Sequence, residues 1–252
     1  MPIARPCAIV CIVTSLALLS PSYAAPHNAA LDRWPRLIVW AWERPEDLRG
    51  LDPAIGVAFL ARTITIAGDR FRVDPRRQPL RVSPETALMA VTRIEIERPD
   101  ALSLDRDTIA ALASAIAASA TLPRVTGVQV DFDAGVSERA FYRQLIRALR
   151  DRLRATVPIS ITALASWCAG DHWLDGLPID EAVPMLFRMG PANEPFRRMA
   201  TSRAAASPCR SAIGTSLDEP IDVRSEGRRV YVFNPRPWTD AALLQARSRV
   251  LR

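Results

Sequence analysis

At 252 residues, with 49% hydrophobic and 24% charged side chains, the chain can bury a full core and is not disordered; it suits one large domain or two small ones. Its formal net charge of +6 comes wholly from arginine, with no lysine and no basic run of five or more, so a nucleic-acid partner is not supported. The absence of G-x-G-x-x-G and G-x-x-x-x-G-K-[ST] leaves no phosphate cradle, and the absence of G-x-S-x-G removes the usual serine nucleophile.

Arg5 followed by an apolar run from Ala8 to Leu19, with small residues at Ser22 and Ala24, predicts a signal peptide over residues 1–24 cleaved after Ala24. The run is too short for a comfortable membrane span, so the mature protein is expected to be periplasmic or secreted, with no stable membrane segment. A linker over 25–36 would then precede a single domain over 37–252. Two cysteines, Cys168 and Cys209, remain after cleavage, and either a disulfide or two buried thiols fits them.

Leu37 to Trp42 is a short apolar run bounded by prolines and reads as a first buried strand. A helical turn is expected around Glu46 to Gly50. Gly56 to Ile66 then forms a second strand, with Gly68 and Asp69 turning a hairpin into Arg70 to Val73. Leu88 to Ile96 is a third strand, near whose end Glu95 and Glu97 share a face. Ser103 and Asp105 offer N-caps for a helix carrying Ile109, Leu112, Ala113 and Ile116 on one stripe.

Val125 to Gly135 is the fourth strand. Side chains alternate along a strand, so Gln129, Asp131 and Asp133 lie on one face and Val128, Val130 and Phe132 on the other. Ser137 is expected to cap the next helix, in which Phe141, Leu145, Leu149 and Leu153 recur every fourth residue. Strands follow at Ile159 to Trp167, Ala182 to Met189, Ser211 to Leu217 and Arg229 to Phe233, with a helix from Asn193 to about Ala206 and a last one capped by Asp240.

Eight strands, most separated by helices, predict a parallel sheet with right-handed crossovers: a compact α/β protein, a (β/α)8 TIM-type barrel with an extra β-hairpin after the second strand. A doubly wound open sheet is the alternative. In a barrel the chemistry sits at the C-terminal strand ends, and there this sequence places carboxylates and tryptophans. Glycoside hydrolysis uses two carboxyls about 5 to 9.5 Å apart, and residues i and i+2 of a strand are roughly 6.5 to 7 Å apart at Cα. Sugars also need flat apolar platforms, which tryptophan supplies.

The segments GVQVDFDAG, ISITALASWC, VPMLFRMG and GTSLDEP together resemble the bacterial domain-of-unknown-function family 3142 over most of the mature chain. That resemblance implies a glycosidase-like barrel without an established activity. Over a shorter stretch the aspartate strand is similar to the D-G-x-D-x-D-x-E motif of the family 18 chitinases. On that pattern Asp131 takes the middle aspartate, Asp133 the terminal acid and Gln129 the first aspartate, while Met185 and Phe187 stand where that family has methionine and tyrosine. Asp133 is one methylene shorter than glutamate, and Phe187 lacks the hydroxyl that would steady an acetamido group.

The expected function is hydrolysis of a polysaccharide or glycan. Asp133 would be the general acid, Asp131 would tune its proton affinity, and Glu43, Glu97 or Glu219 would supply the second carboxylate. Trp42, Gln129, Trp167, Trp173, Met185, Phe187, Arg188, Asn234 and Trp238 would hold the carbohydrate. No cofactor and no metal are expected: His172 has the setting of a polar loop residue beside Trp173, and the acidic spacing does not require a cation. Two competing classes are a glycan-binding barrel that lost the acid and an envelope structural protein marked by an exposed apolar patch.

Overall fold

The computed structural model describes residues 29–97, 104–190, 194–202, 205–219 and 227–248. The expected signal segment, Ser103 and Asn193 lie outside them. Eight parallel strands form the sheet: β1 (Leu37–Ala41), β3 (Ile55–Ala67), β6 (Leu88–Ile96), β7 (Val125–Asp131), β8 (Ile159–Leu164), β9 (Glu181–Met185), β10 (Ala212–Ser216) and β11 (Arg229–Phe233). Their lateral order is β1-β11-β10-β9-β8-β7-β6-β3, and β3 pairs back on β1 from Leu37↔Ile55 to Ala41↔Phe59. The sheet is therefore closed. That pairing excludes the open doubly wound alternative, because an open sheet leaves two strands with free edges.

Alternation along the strands separates two apolar layers. Ile38, Trp40, Ala58, Met89, Val91, Val183 and Tyr231 fill the barrel, while Val39, Val57, Ala90, Val128, Val130 and Ile161 face outward to the helices. Gly214 makes room for the bulkiest interior ring: a Cβ there would stand 3.3 Å from the Trp40 indole and 3.0 Å from Met185 Sδ. The described part of the expected linker, residues 29–36, closes the N-terminal end. Within them α1 (Ala29–Asp32) brings Leu31, and the following turn brings Trp34, onto the interior cluster.

Outside, α2 (Arg106–Ala117) buries Ile109, Leu112, Ala113 and Ile116, and Asp105 caps it by accepting from Thr108 N–H at 2.7 Å. α3 (Arg139–Arg152) buries Phe141, Tyr142, Leu145, Ile146 and Leu149. Each such side chain contributes roughly 1.5–3 kcal/mol of burial free energy. Ser137 does not cap this helix. Residues 136–138 form a single 3-10 turn that leads directly into α3, and the Glu138 carboxylate reaches back to accept from Gly135 N–H at the start of that turn. In α6 (Asp240–Arg247) the cap is likewise Thr239, accepting from Ala242 N–H at 3.2 Å, with Asp240 in the first turn.

The first two crossovers carry no helix among the described residues. In place of the helical turn expected at Glu46 to Gly50, β2 (Glu46–Leu48) pairs in parallel with β5 (Leu80–Val82). The local cause is Glu46, whose buried carboxylate accepts from Arg44 Nε at 2.7 Å and from Trp238 N–H at 3.0 Å, holding the segment extended. β3 runs beyond the rim, turns at Gly68 (φ 64°) and returns antiparallel as β4 (Arg70–Pro75). Between β8 and β9 lies α4 (Ala165–Cys168), and α5 (Glu194–Thr201) follows β9. Cys168 and Cys209 form a disulfide with Cα atoms 5.8 Å apart, which joins these two neighbouring crossovers. Closing a loop of 41 residues removes about 4 kcal/mol of denatured-chain entropy. No described helix is long and apolar enough to cross a membrane.

Candidate active site at the C-terminal mouth

A cavity of about 480 Å³ opens at the C-terminal ends of the strands. Inward-facing alternation sets its contents: Arg93 from β6, Gln129 and Asp131 from β7, Thr162 from β8, Met185 from β9, Phe233 from β11 and Trp40 from β1. Asp133 and Trp42, one step of the same parity past their strand ends, complete the rim together with Phe187, Arg188 and Phe196.

Asp131 is the fixed carboxylate. Its Oδ1 accepts from Thr162 Oγ1 at 2.8 Å and its Oδ2 from Arg93 Nη1 at 3.2 Å. Burial pushes this carboxyl above its ordinary value; the Thr162 hydrogen bond and the Arg93 charge oppose the rise without cancelling it, and the Asp133 charge adds to it. The Arg93 guanidinium also donates to Glu95 at 2.7 Å and covers the Trp42 ring at 5.4 Å from its centroid. Asp133, exposed, carries a second carboxylate into the open part of the mouth.

Beneath them a polar chain runs down the barrel. Trp40 Nε1 donates to Gln129 Oε1 at 2.8 Å, Gln129 Nε2 to Ser160 Oγ at 3.0 Å, and Ser160 Oγ to Glu181 Oε1 at 3.4 Å. Tyr231 OH donates to the same carboxylate at 2.7 Å, and Arg229 pairs with its other oxygen. The Trp40 donor fixes which end of the Gln129 amide faces it, since indole N–H can only donate. Gln129 thus floors the cavity in one orientation.

Of the residues singled out from sequence, Asp131, Asp133, Gln129, Trp42, Met185, Phe187 and Arg188 line this cavity. The three glutamates expected to supply a second carboxylate lie elsewhere. Glu43 accepts from the backbone N–H groups of Arg77 and Gln78 at 2.9 and 3.1 Å and tethers that loop. Glu97 has the inward parity, but β3 and β6 pair as far as Ile66↔Ile96, past Arg93↔Asp131 where β7 ends, so it stands beyond the rim. Glu219 accepts from Arg188 N–H at 2.7 Å and lies 3.7 Å from Arg197.

Three tryptophans are packing residues. Trp167 and Trp173 meet edge to face at 4.8 Å and pack on Tyr142 in the outer layer, because α4 begins at Ala165 and turns Trp167 off the strand alternation. Trp238 is buried, its Nε1 donating to Trp40 O at 2.8 Å. Asn234 closes its own turn through Arg236 N–H and Pro237 O and faces away from the cavity. Arg188 reaches the mouth in a left-handed conformation (φ 57°), with its guanidinium on Asp218 at 2.7 Å. His172 is exposed and 3.1 Å from Asp175. Among the described residues no group of three or more acidic, histidine or cysteine side chains is placed to hold a metal.

Arg93, Thr162, Phe233 and Phe196 belong to the site without having been expected there. Arg93 had a signal: it shares the face of Glu95 one step closer to the barrel. Thr162 had the same parity signal from Ser160. Phe196, on a helix, had none. Neither the family models nor the curated proteins contain a match to this chain.

Proposed function

We propose that this is an exported glycoside-hydrolase-like barrel that acts on a polysaccharide or glycan at the C-terminal mouth. The observation that carries the reading is the Asp131–Asp133 carboxylate pair opening on a cavity walled by aromatic rings, Trp42 standing at 6.1 Å and nearly perpendicular to Phe233, itself stacked on Phe187. Asp133, exposed at the open part of the mouth, is assigned the role of general acid. Asp131 is the other carboxylate of the cavity, two residues away at the end of β7. The disulfide supports export, since such bonds persist mainly in oxidising compartments.

The test is reducing-sugar release across a panel of polysaccharides by wild type and Asp133→Asn. Loss of a general acid costs about 10²–10⁴-fold in rate; hydrolysis unchanged in the variant sinks the assignment. A second reading, a glycan-binding barrel without turnover, is favoured by the positions of Glu43, Glu97 and Glu219 off the cavity and by the engagement of Asp131 with Arg93 and Thr162. Saturable quenching of tryptophan fluorescence by oligosaccharides with no product formed selects that reading.

A further inference from the structure

The rim of the cavity is chemically divided. In strand order, three of its four charged residues and its fully inward hydroxyl lie on one arc: Arg93 on β6, Asp131 and Asp133 on and just past β7, and Thr162 on β8. From the end of β8 through β9 and α5 to β11 the wall is Leu164, Met185, Phe187, Met189, Phe196 and Phe233. Ser166 brings one hydroxyl to this second arc, and the Arg188 head group is drawn off to Asp218. Phe187 and Phe233 stack with centroids 5.6 Å apart and planes 4° from parallel, which packs two rings together on this arc.

This arc is not sealed core. Leu164 and Phe196 are 38% and 39% exposed, two of the four large hydrophobic side chains that the described residues leave that open. A sugar ring can lay its C–H face on Phe187 or Phe233, but Leu164, Met189 and Phe196 offer its hydroxyls no partner, and each unpaired hydroxyl costs free energy. A hydrocarbon chain meets no such cost and covers both exposed side chains. The cavity volume of about 480 Å³ lies within the roughly 300–1,000 Å³ typical of small-molecule sites.

The geometry points to a glycoside bearing a hydrocarbon aglycone, with the sugar against Asp131 and Asp133 and the alkyl or acyl chain along the apolar arc toward Phe196. This inference rests on the glycoside reading above and narrows its substrate class. It is tested by titrating the full-length protein with methyl and n-octyl glycosides of glucose, galactose and N-acetylglucosamine, below micelle formation, with n-octanol and an oligosaccharide panel alongside. Tryptophan fluorescence reports binding, since Trp40 and Trp42 line the cavity.

For at least one sugar the octyl glycoside is expected to bind about tenfold or more tightly than the methyl glycoside. Phe196→Gln, on an exposed position of α5, should lower octyl affinity several-fold more than methyl affinity, with an unchanged melting transition showing that the variant is folded. Equal binding of octyl and methyl glycosides overturns this inference and leaves the glycoside reading standing. Binding of n-octanol as tight as any octyl glycoside, with no oligosaccharide bound, overturns both.

Discussion

Two Arg–carboxylate pairs lie inside this barrel, one at each end, and they are built from the same parts. At the floor Glu181 meets Arg229 and takes hydroxyl donors from Ser160 and Tyr231; at the mouth Asp131 meets Arg93 and takes one from Thr162. They differ in what remains unfilled. The floor side chains are 0% and 7% exposed, and Arg229 spends its other N–H groups on the carbonyls of Pro35 and Leu31. The mouth side chains are 13% and 36% exposed and border the cavity. A pair closed on itself holds the fold; a pair open to the cavity can meet a ligand.

The sharpest way to break the comparison is at the floor. Glu181→Ala leaves Arg229 buried without a counter-charge, for which a loss of about 3–5 kcal/mol is expected in urea denaturation. A loss below about 1 kcal/mol, the range of exposed ion pairs, would erase the distinction between the two ends. Arg93→Met at the mouth should cost within about 1 kcal/mol of stability, because its partner Asp131 keeps Thr162 and solvent. Its larger expected effect is on ligand affinity, read from the same fluorescence titrations; a stability loss matching that of Glu181→Ala would make the mouth pair a scaffold element.

The smallest expected effect is a pH dependence. Burial raises the Asp131 carboxyl above the ordinary value of 3.8, so between that value and the raised one the folded chain binds more protons than the unfolded chain. Stability from this group is therefore greatest in acid and declines as pH rises through that window. Asp131→Asn removes the decline. Relative to wild type the variant should gain stability as pH is raised upward from 3.8, measured by urea denaturation at a series of pH values; a gain in the opposite direction would mean that Arg93 and Thr162 outweigh burial.

The barrel was legible because two periodicities carry it. Alternation in GVQVDFD placed Gln129, Asp131 and Asp133 on the inner face, and the fourfold recurrence from Phe141 to Leu149 marked α3 with its buried side. Legibility failed where the period stops. Glu43 and Glu219 lie past strand ends, where no alternation constrains direction, and backbone N–H groups claimed them instead. Trp167 was misplaced by a single helical turn that ISITALASW does not announce. Trp238 and Trp173 sit in connections, and a position just beyond a strand does not reveal whether a ring folds inward or outward. Arg93 is hidden for a different reason: a lone arginine among glutamates reads as a surface ion pair until β7 brings Asp131 beside it.

The closure of the sheet bears on how the chain reaches this state. β1 is paired on one side by β3 and on the other by β11, the last of the described strands in chain order. Until Arg229–Phe233 arrives, β1 and β10 each present an unpaired backbone edge, and the Trp40 ring lacks Tyr231, 5.3 Å away in the finished barrel. The final contacts join residues nearly 200 positions apart, a topology that folds slowly and exposes aggregation-prone edges while it does so. A chain that ends before Arg229 is therefore not a smaller barrel but an open sheet with two adhesive margins.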